Sequence, residues 1–228
     1  MTAQELRWHL YADSLRLAER AARAILAAAR EAIAARGRFR IVLAGGTTPR
    51  AVYARLAAAA TDWPAWEIWF GDERCLPAAD AGRNNRMAAD VWLDRVPIPP
   101  ESVHAIPAEQ GAAAAAAAYA RALAPLPGFD LVLLGLGEDG HTAGLFPARD
   151  WNGAAVLAVG DAPKPPPERV SLSAATLSRG AQTLFLVSGD SKRDAVAAWR
   201  AGAAIPAAAI RPAGGVDVLL DLAAWPGT

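Results

Sequence analysis

The sequence predicts an α/β fold, a mainly parallel sheet covered by helices on both faces in the Rossmann-like manner. Two observations support this. Short apolar runs alternate with helical segments along most of the chain, and crossovers of roughly ten residues or more join parallel strands with a right-handed sense. Several runs are continuously apolar rather than alternating, as expected of strands buried on both faces.

From Asp13 to Arg36 the apolar positions Leu17, Ala21, Ala24, Ala28 and Ala32 recur at helical spacing, and Gly37 supplies a C-terminal stop. Phe39–Leu43 reads as a strand, after which Thr48 and Pro49 open a helix as N-cap and first residue. Trp66–Phe70 is the next strand, followed by a long polar loop over 72–84 and a helix over 85–93 that ends before Pro97. The alanine tract 112–118 predicts a surface helix, with Tyr119 and Leu123 as an i, i+4 apolar pair. Further strands are predicted at 131–134, Val156–Val159, 170–172, 184–187 and 216–220, with a helix over 191–201 between the last two. The segment APKPPPERV is stiff and cannot continue a helix. It reads as an ordered loop, because a domain boundary there would leave too little sequence on either side. One domain over residues 1–228 is expected.

The bulk properties exclude several partners. Lysine and arginine total 23, matching 23 aspartates and glutamates, and no basic block stands out. Nucleic-acid binding is therefore not expected, and an anionic substrate would need a local cluster of cations. The single cysteine, Cys75, rules out an intrachain disulfide and multi-cysteine metal sites, in keeping with a reducing cytoplasm. The start MTAQELRWHLYADS has no basic region followed by an apolar one, so no secretory signal is expected. No run of about 18 uncharged apolar residues predicts a membrane span.

Candidate site residues cluster after strands. The run 131–134 enters a turn with Gly135, Gly137 and Gly140, which delivers Asp139 and His141 to the strand's exit. Ligands of open α/β sheets bind outside the carboxyl ends of strands, and a histidine there is a candidate general base. Gly45, Gly46, Thr47 and Thr48 lie between a strand and a helix, where free N–H groups and the helix dipole favour an anion. The turn lacks the Gly-Lys-[Ser/Thr] of a nucleotide-binding loop and the G-x-G-x-x-G spacing of a dinucleotide fold, so a monophosphate suits it. Asp72, Glu73 and Arg74 follow Trp66–Phe70, and the arginine offers a fork of donors to a phosphate or an oxyanion. Cys75 beside it has no neighbouring histidine and reads as a small buried hydrophobe rather than a nucleophile. Lys192 stands near a helix start, where it opposes the dipole unless an anion is bound. Arg169 is placed rigidly by the prolines before it. His9 and His104 read as structural or exposed. Three histidines this far apart make a poor metal set, and no metal or cofactor is expected.

Five segments carry a family resemblance in consistent order. LGLGEDGHTAGLFP resembles the 6-phosphogluconolactonase signature G-x-G-x-DGHTASLFP, and IVLAGGTTPRAVY its SGGSTP segment. WEIWFGDERCLPAADAGRNNRMA is similar to its DER…SN stretch, KPPPERVSLSAATL to PP-x-R-[IV]-T, and LFLVSGDSK to G-x-x-K. Ala44 and Gly144 stand where the family has serine, and Arg83 precedes Asn84 where serine is common. These changes bear on single hydroxyl contacts.

The resemblance implies a sugar-phosphate isomerase/lactonase type of fold and hydrolysis of 6-phospho-D-glucono-1,5-lactone in the oxidative pentose phosphate route. It implies His141 as base, oriented by Asp139, with Arg74 or glycine-turn N–H groups at the oxyanion. Gly45, Gly46, Thr47, Thr48, Asp72, Asn84, Gly140, Arg169 and Lys192 would bind substrate, the phosphate lying on Gly46, Thr47 and Thr48 with Lys192 and Arg169. A cytoplasmic monomer or small homo-oligomer is expected. Glucosamine-6-phosphate deaminases share the scaffold but continue their DGH as I-A-F-N-E-P and carry D-E-Y, where this chain has HTAGLFP and DERCLP. A non-catalytic sugar-phosphate sensor is the other alternative. It would normally be joined to a DNA-binding segment, for which 228 residues leave no room.

Overall fold

The computed structural model describes residues 4–227. Ten strands are present among these described residues: β1 (Leu6–Tyr11), β2 (Phe39–Leu43), β3 (Trp66–Phe70), β4 (Asp72–Arg74), β5 (Val103–His104), β6 (Phe129–Gly135), β7 (Val156–Val159), β8 (Arg169–Leu172), β9 (Gly180–Val187) and β10 (Val216–Asp221). Seven of them form one sheet in the order β1-β10-β9-β6-β2-β3-β5, with every neighbouring pair parallel. Four successive residues of β6, Leu131 to Leu134, are no more than 1% exposed. Successive side chains point to opposite faces, so both faces of the sheet are covered there.

The helices are α1 (Ser14–Arg36), α2 (Thr47–Leu56), α3 (Asn84–Val91), α4 (Ala112–Leu123), α5 (Ala174–Leu177) and α6 (Arg193–Arg200). α1 begins at Asp13, whose carboxylate accepts the Arg16 N–H, and ends at Gly37 with φ 71°. Its buried face is largely alanine, which lets the helix run close past β10 and β6 on its way to β2. α4 buries Ala115 and Ala116 along with Tyr119 and Leu123.

Chain order locates the crevice. From β2 the chain moves outward through β3 to β5, then returns to place β6 on the other side of β2 and moves outward again through β9 and β10. The direction of winding reverses between β2 and β6, and ligands of such sheets bind beyond the carboxyl ends at that point. Two buried tyrosines fix the neighbouring backbone. The Tyr53 hydroxyl donates to the Ala44 carbonyl at 2.8 Å and accepts its N–H at 3.0 Å. The Tyr119 hydroxyl accepts the Phe70 N–H at 2.8 Å.

Several elements differ from the sequence reading. Val156–Val159 and 170–172 do not join the main sheet; with β4 they form an antiparallel sheet of order β4-β8-β7. The proline-rich link between β7 and β8 holds no helix, and a parallel crossover needs a longer connection. The loop expected from residue 72 therefore begins with a strand. β1 and β5 occupy the two edges of the main sheet and were not foreseen. α2 starts at Thr47 with Gly46 as N-cap and no side-chain cap, so Thr48 and Pro49 sit inside the helix. α6 starts later than expected, after a 3-10 turn over Asp190–Lys192. No helix among the described residues is long and apolar enough to cross a membrane.

Candidate active site

The turn after β6 is closed by its own backbone: the Gly137 N–H donates to the His141 carbonyl at 2.8 Å and the Gly140 N–H to the Gly137 carbonyl at 3.1 Å. The imidazole folds back over this turn. A Cβ at position 137 would lie 1.9 Å from His141 Nδ1 and 2.6 Å from Asp139 Oδ1, so only glycine leaves room for the pair. Asp139 Oδ1 lies 2.5 Å from His141 Nδ1 and accepts the His141 backbone N–H at 3.1 Å. Partial burial pushes the Asp139 carboxyl up, but the bonds from the His141 ring and backbone outweigh it and hold the pKa below the ordinary value. An ionised carboxylate only accepts, so Nδ1 carries the proton of this bond, and in the neutral ring the lone pair is on Nε2. The ring rests against Phe146, with centroids 4.9 Å apart.

Strand β4 sorts its three charges by alternation. Asp72 and Arg74 line a cavity of about 190 Å³, while Glu73 has no exposed surface. Glu73 Oε1 accepts the N–H groups of Arg74 at 2.8 Å and Asn84 at 2.7 Å, and Oε2 that of Asn85 at 2.9 Å. The carboxylate thus caps α3 and ties it to β4. Burial pushes its pKa up against these three bonds. Asn84 Nδ2 donates to the Asp72 carbonyl at 3.0 Å, and Asn84 Oδ1 lies where a Cβ on residue 45 would be, 2.0 Å from it. Gly45 is therefore required by close approach. Arg83, also buried, donates to Glu109 and to the Ile106 carbonyl, each at 2.7 Å, a structural role away from the cavity.

The Asp72 carboxyl is pushed up by burial, with Arg169, Arg74 and His141 drawing it back. Arg74 Nη1 donates to the Gly82 carbonyl at 2.6 Å, and its Nε is buried without a partner. Arg169 is paired in register opposite Arg74 across the β4–β8 ladder. The carbonyls of Lys164, Pro165 and Pro166 accept its N–H groups at 3.2 Å, and its guanidinium lies 5.7 Å from the Phe146 ring centroid. Burial lowers the Arg169 pKa, and the Lys192 ammonium is lowered by burial and by Lys164.

One cavity thus gathers His141, Arg74, Asp72 and Asn84 with Gly45, Gly46, Arg169 and Lys192. Asp139 and Gly140 do not line it; they shape the turn that presents His141. Thr47 and Thr48 also lie outside the lining, in the first turn of α2. Sequence reasoning missed Glu73 and Phe146, which face the protein. It also missed Ala143, a lining residue with φ 48° that nothing in its sequence marks.

The sequence model of the family described as glucosamine-6-phosphate isomerases/6-phosphogluconolactonase matches residues 12–219. A 6-phosphogluconolactonase of Mycobacterium leprae is 37% identical over 233 residues, covering 95% of this chain and 93% of the relative. One of Streptomyces coelicolor is 37% identical, covering 94% and 92%. Among solved structures, 6-phosphogluconolactonase from Thermotoga maritima superposes with a TM-score of 0.89 at 26% identity, over 95% of this chain and 100% of that one. The enzyme from Trypanosoma brucei gives 0.87 at 30% identity, over 96% and 97%. A monomeric glucosamine-6-phosphate deaminase, at 21% identity and a TM-score of 0.81, shares the fold. The chain belongs to the glucosamine-6-phosphate isomerase/6-phosphogluconolactonase family.

Proposed function

We propose that this chain hydrolyses 6-phospho-D-glucono-1,5-lactone to 6-phospho-D-gluconate, a step of the oxidative pentose phosphate route, with His141 as general base. The observation that supports it most is the His141–Asp139 pair presented to a cavity with three cations, Arg74, Arg169 and Lys192, and one carboxylate, Asp72. Its relatives at 37% identity are 6-phosphogluconolactonases.

His141 Nε2 takes a proton from water as the water oxygen bonds to the lactone carbonyl carbon. The carbonyl electron pair moves onto oxygen, where the guanidinium of Arg74, a residue that lines the cavity, stabilises it; one such donor is worth roughly 3–4 kcal/mol. When the oxyanion collapses, the bond to the ring oxygen breaks and the imidazolium returns its proton to that oxygen. Asp139 stays ionised throughout and stabilises the imidazolium. Arg169 and Lys192 hold the phosphate beside the first-turn N–H groups of α2, which have no partner within the helix. Asp72, Asn84 and the backbone at Gly45 and Gly46 take the sugar hydroxyls. The chain works as one domain in the cytoplasm, as a monomer or small homo-oligomer, and needs no cofactor, metal or nucleic acid.

The test is release of 6-phosphogluconate, corrected for spontaneous hydrolysis. His141→Ala and His141→Asn should each lower kcat by roughly two to four orders of magnitude and leave KM nearly unchanged. Activity within a few-fold of native in either variant refutes the assignment.

A further inference from the structure

Phe146 is 1% exposed, and no step of the proposed reaction uses it. Its backbone is held firmly: Trp151 Nε1 donates to its carbonyl at 2.6 Å, and the preceding Leu145 exchanges backbone bonds with Thr142. The ring has two polar neighbours of different roles. The His141 imidazole lies against it with planes inclined by 36°, and the Arg169 guanidinium approaches the same ring.

The bond to Cβ at Cγ and the hydrogen bond at Nδ1 fix two points of the His141 imidazole and leave its plane free to tilt about the line through them. A flat neighbour removes this freedom. The bonds of Arg169 all run to carbonyls of one loop, and an aromatic ring supports a guanidinium through its quadrupole as well as by contact. We infer that Phe146 is a positioning residue that sets the plane of His141 and the placement of Arg169 together, coupling the base to the phosphate grip. This rests on the reading of His141 as base and Arg169 as phosphate ligand. An aliphatic side chain of similar volume fills the space but offers neither a flat face nor a quadrupole.

The test compares Phe146→Leu, Phe146→Met and Phe146→Tyr in the full chain. For each, kcat and KM are measured on the phosphorylated lactone and on plain glucono-1,5-lactone, with a melting curve alongside. The leucine and methionine variants should lose roughly ten- to a hundredfold in kcat on both lactones, the scale expected of a misplaced catalytic group. Their KM should rise for the phosphorylated lactone only. The tyrosine variant keeps the ring and should stay close to native. Native kinetics in the leucine or methionine variant overturn the inference, as does a tyrosine variant impaired as badly as leucine. Failure of both aliphatic variants to fold also overturns it, because the ring would then be supporting the fold rather than the site. His141→Ala separates the two levels: if it is active, the reading of the base fails and the inference falls with it, whereas an inactive His141→Ala beside native kinetics in the leucine or methionine variant overturns the inference alone.

Discussion

Replacing Glu73 by glutamine exchanges one oxygen for nitrogen in a side chain with no exposed surface. The carboxylate receives three backbone N–H groups, two on Oε1 and one on Oε2. The better amide orientation leaves its carbonyl at Oε1, so Arg74 and Asn84 keep their bonds. The amide nitrogen then faces the Asn85 N–H, and a buried donor is left without an acceptor at a cost of about 1–3 kcal/mol. Arg83 Nε, 3.7 Å from Oε2, loses its nearby negative charge as well. A total loss of about 2–4 kcal/mol lowers the melting temperature by roughly 4–16 °C at this chain length. Glutamine should nevertheless keep most of the activity, because the groups it releases do not touch the cavity. Glu73→Ala frees Arg74 and Asn84 too, and should lower kcat/KM far more than glutamine does. Thermal melts and lactonase kinetics on the two variants decide this. A glutamine variant that melts within about 1 °C of native, or an alanine variant as active as glutamine, refutes the reasoning.

On the proposed reading, removing either Lys192 or Arg169 would delete a charge-assisted hydrogen bond to phosphate. KM for the phosphorylated lactone should rise about ten- to a hundredfold while the plain lactone is nearly unaffected. An unchanged ratio of kcat/KM between the two lactones moves the phosphate elsewhere, with Arg74 the first candidate. The cavity offers one histidine, already engaged at Nδ1, and no thiolate, so activity should survive EDTA and dialysis. Recovery by one specific divalent ion after loss would demand a different mechanism. Asp139 has a folded pKa below its ordinary 3.8, so its contribution to stability is present above that value and fades as pH falls through the folded pKa. The difference in melting temperature between native and Asp139→Asn should therefore be flat above about pH 4 and close below it. A gap that widens on acidification contradicts the sign.

The buried strands were legible because both their faces are covered: the apolar runs of β2, β3, β6, β9 and β10 look alike in sequence and in burial. The small antiparallel sheet was not. Asp72-Glu73-Arg74 has no apolar residue to mark a strand, and its partner β8 lies far along the chain. Read as a loop, the triplet gives no reason to separate its members. Read as a strand, its alternation sends Asp72 and Arg74 to one side and Glu73 to the other. The glycine turn declared His141 through spacing alone, yet the need for glycine at 137 is visible only once the imidazole is seen folded over it. Thr47 and Thr48 lie in the first turn of α2, outside the cavity lining, because Gly46 takes the N-cap place that the sequence gives to Thr48.

A chain with no net charge binds a dianion only if its topology concentrates cations that the sequence scatters. Three chain segments do so here: β4 brings Arg74, the start of β8 brings Arg169, and the turn after β9 brings Lys192. The cost is visible in the free protein. Arg74 and Arg169 face each other across a ladder, where like charges are unfavourable. Burial weakens the charged forms of Arg169 and Lys192, and Arg74 Nε has no acceptor. Asp72 offsets part of this, itself buried and pushed toward its neutral form. An unmet donor and opposed cations in one small cavity are poor choices for stability and good ones for binding. On the proposed reading, a phosphate and a developing oxyanion would supply the acceptors and the negative charge that this arrangement lacks on its own.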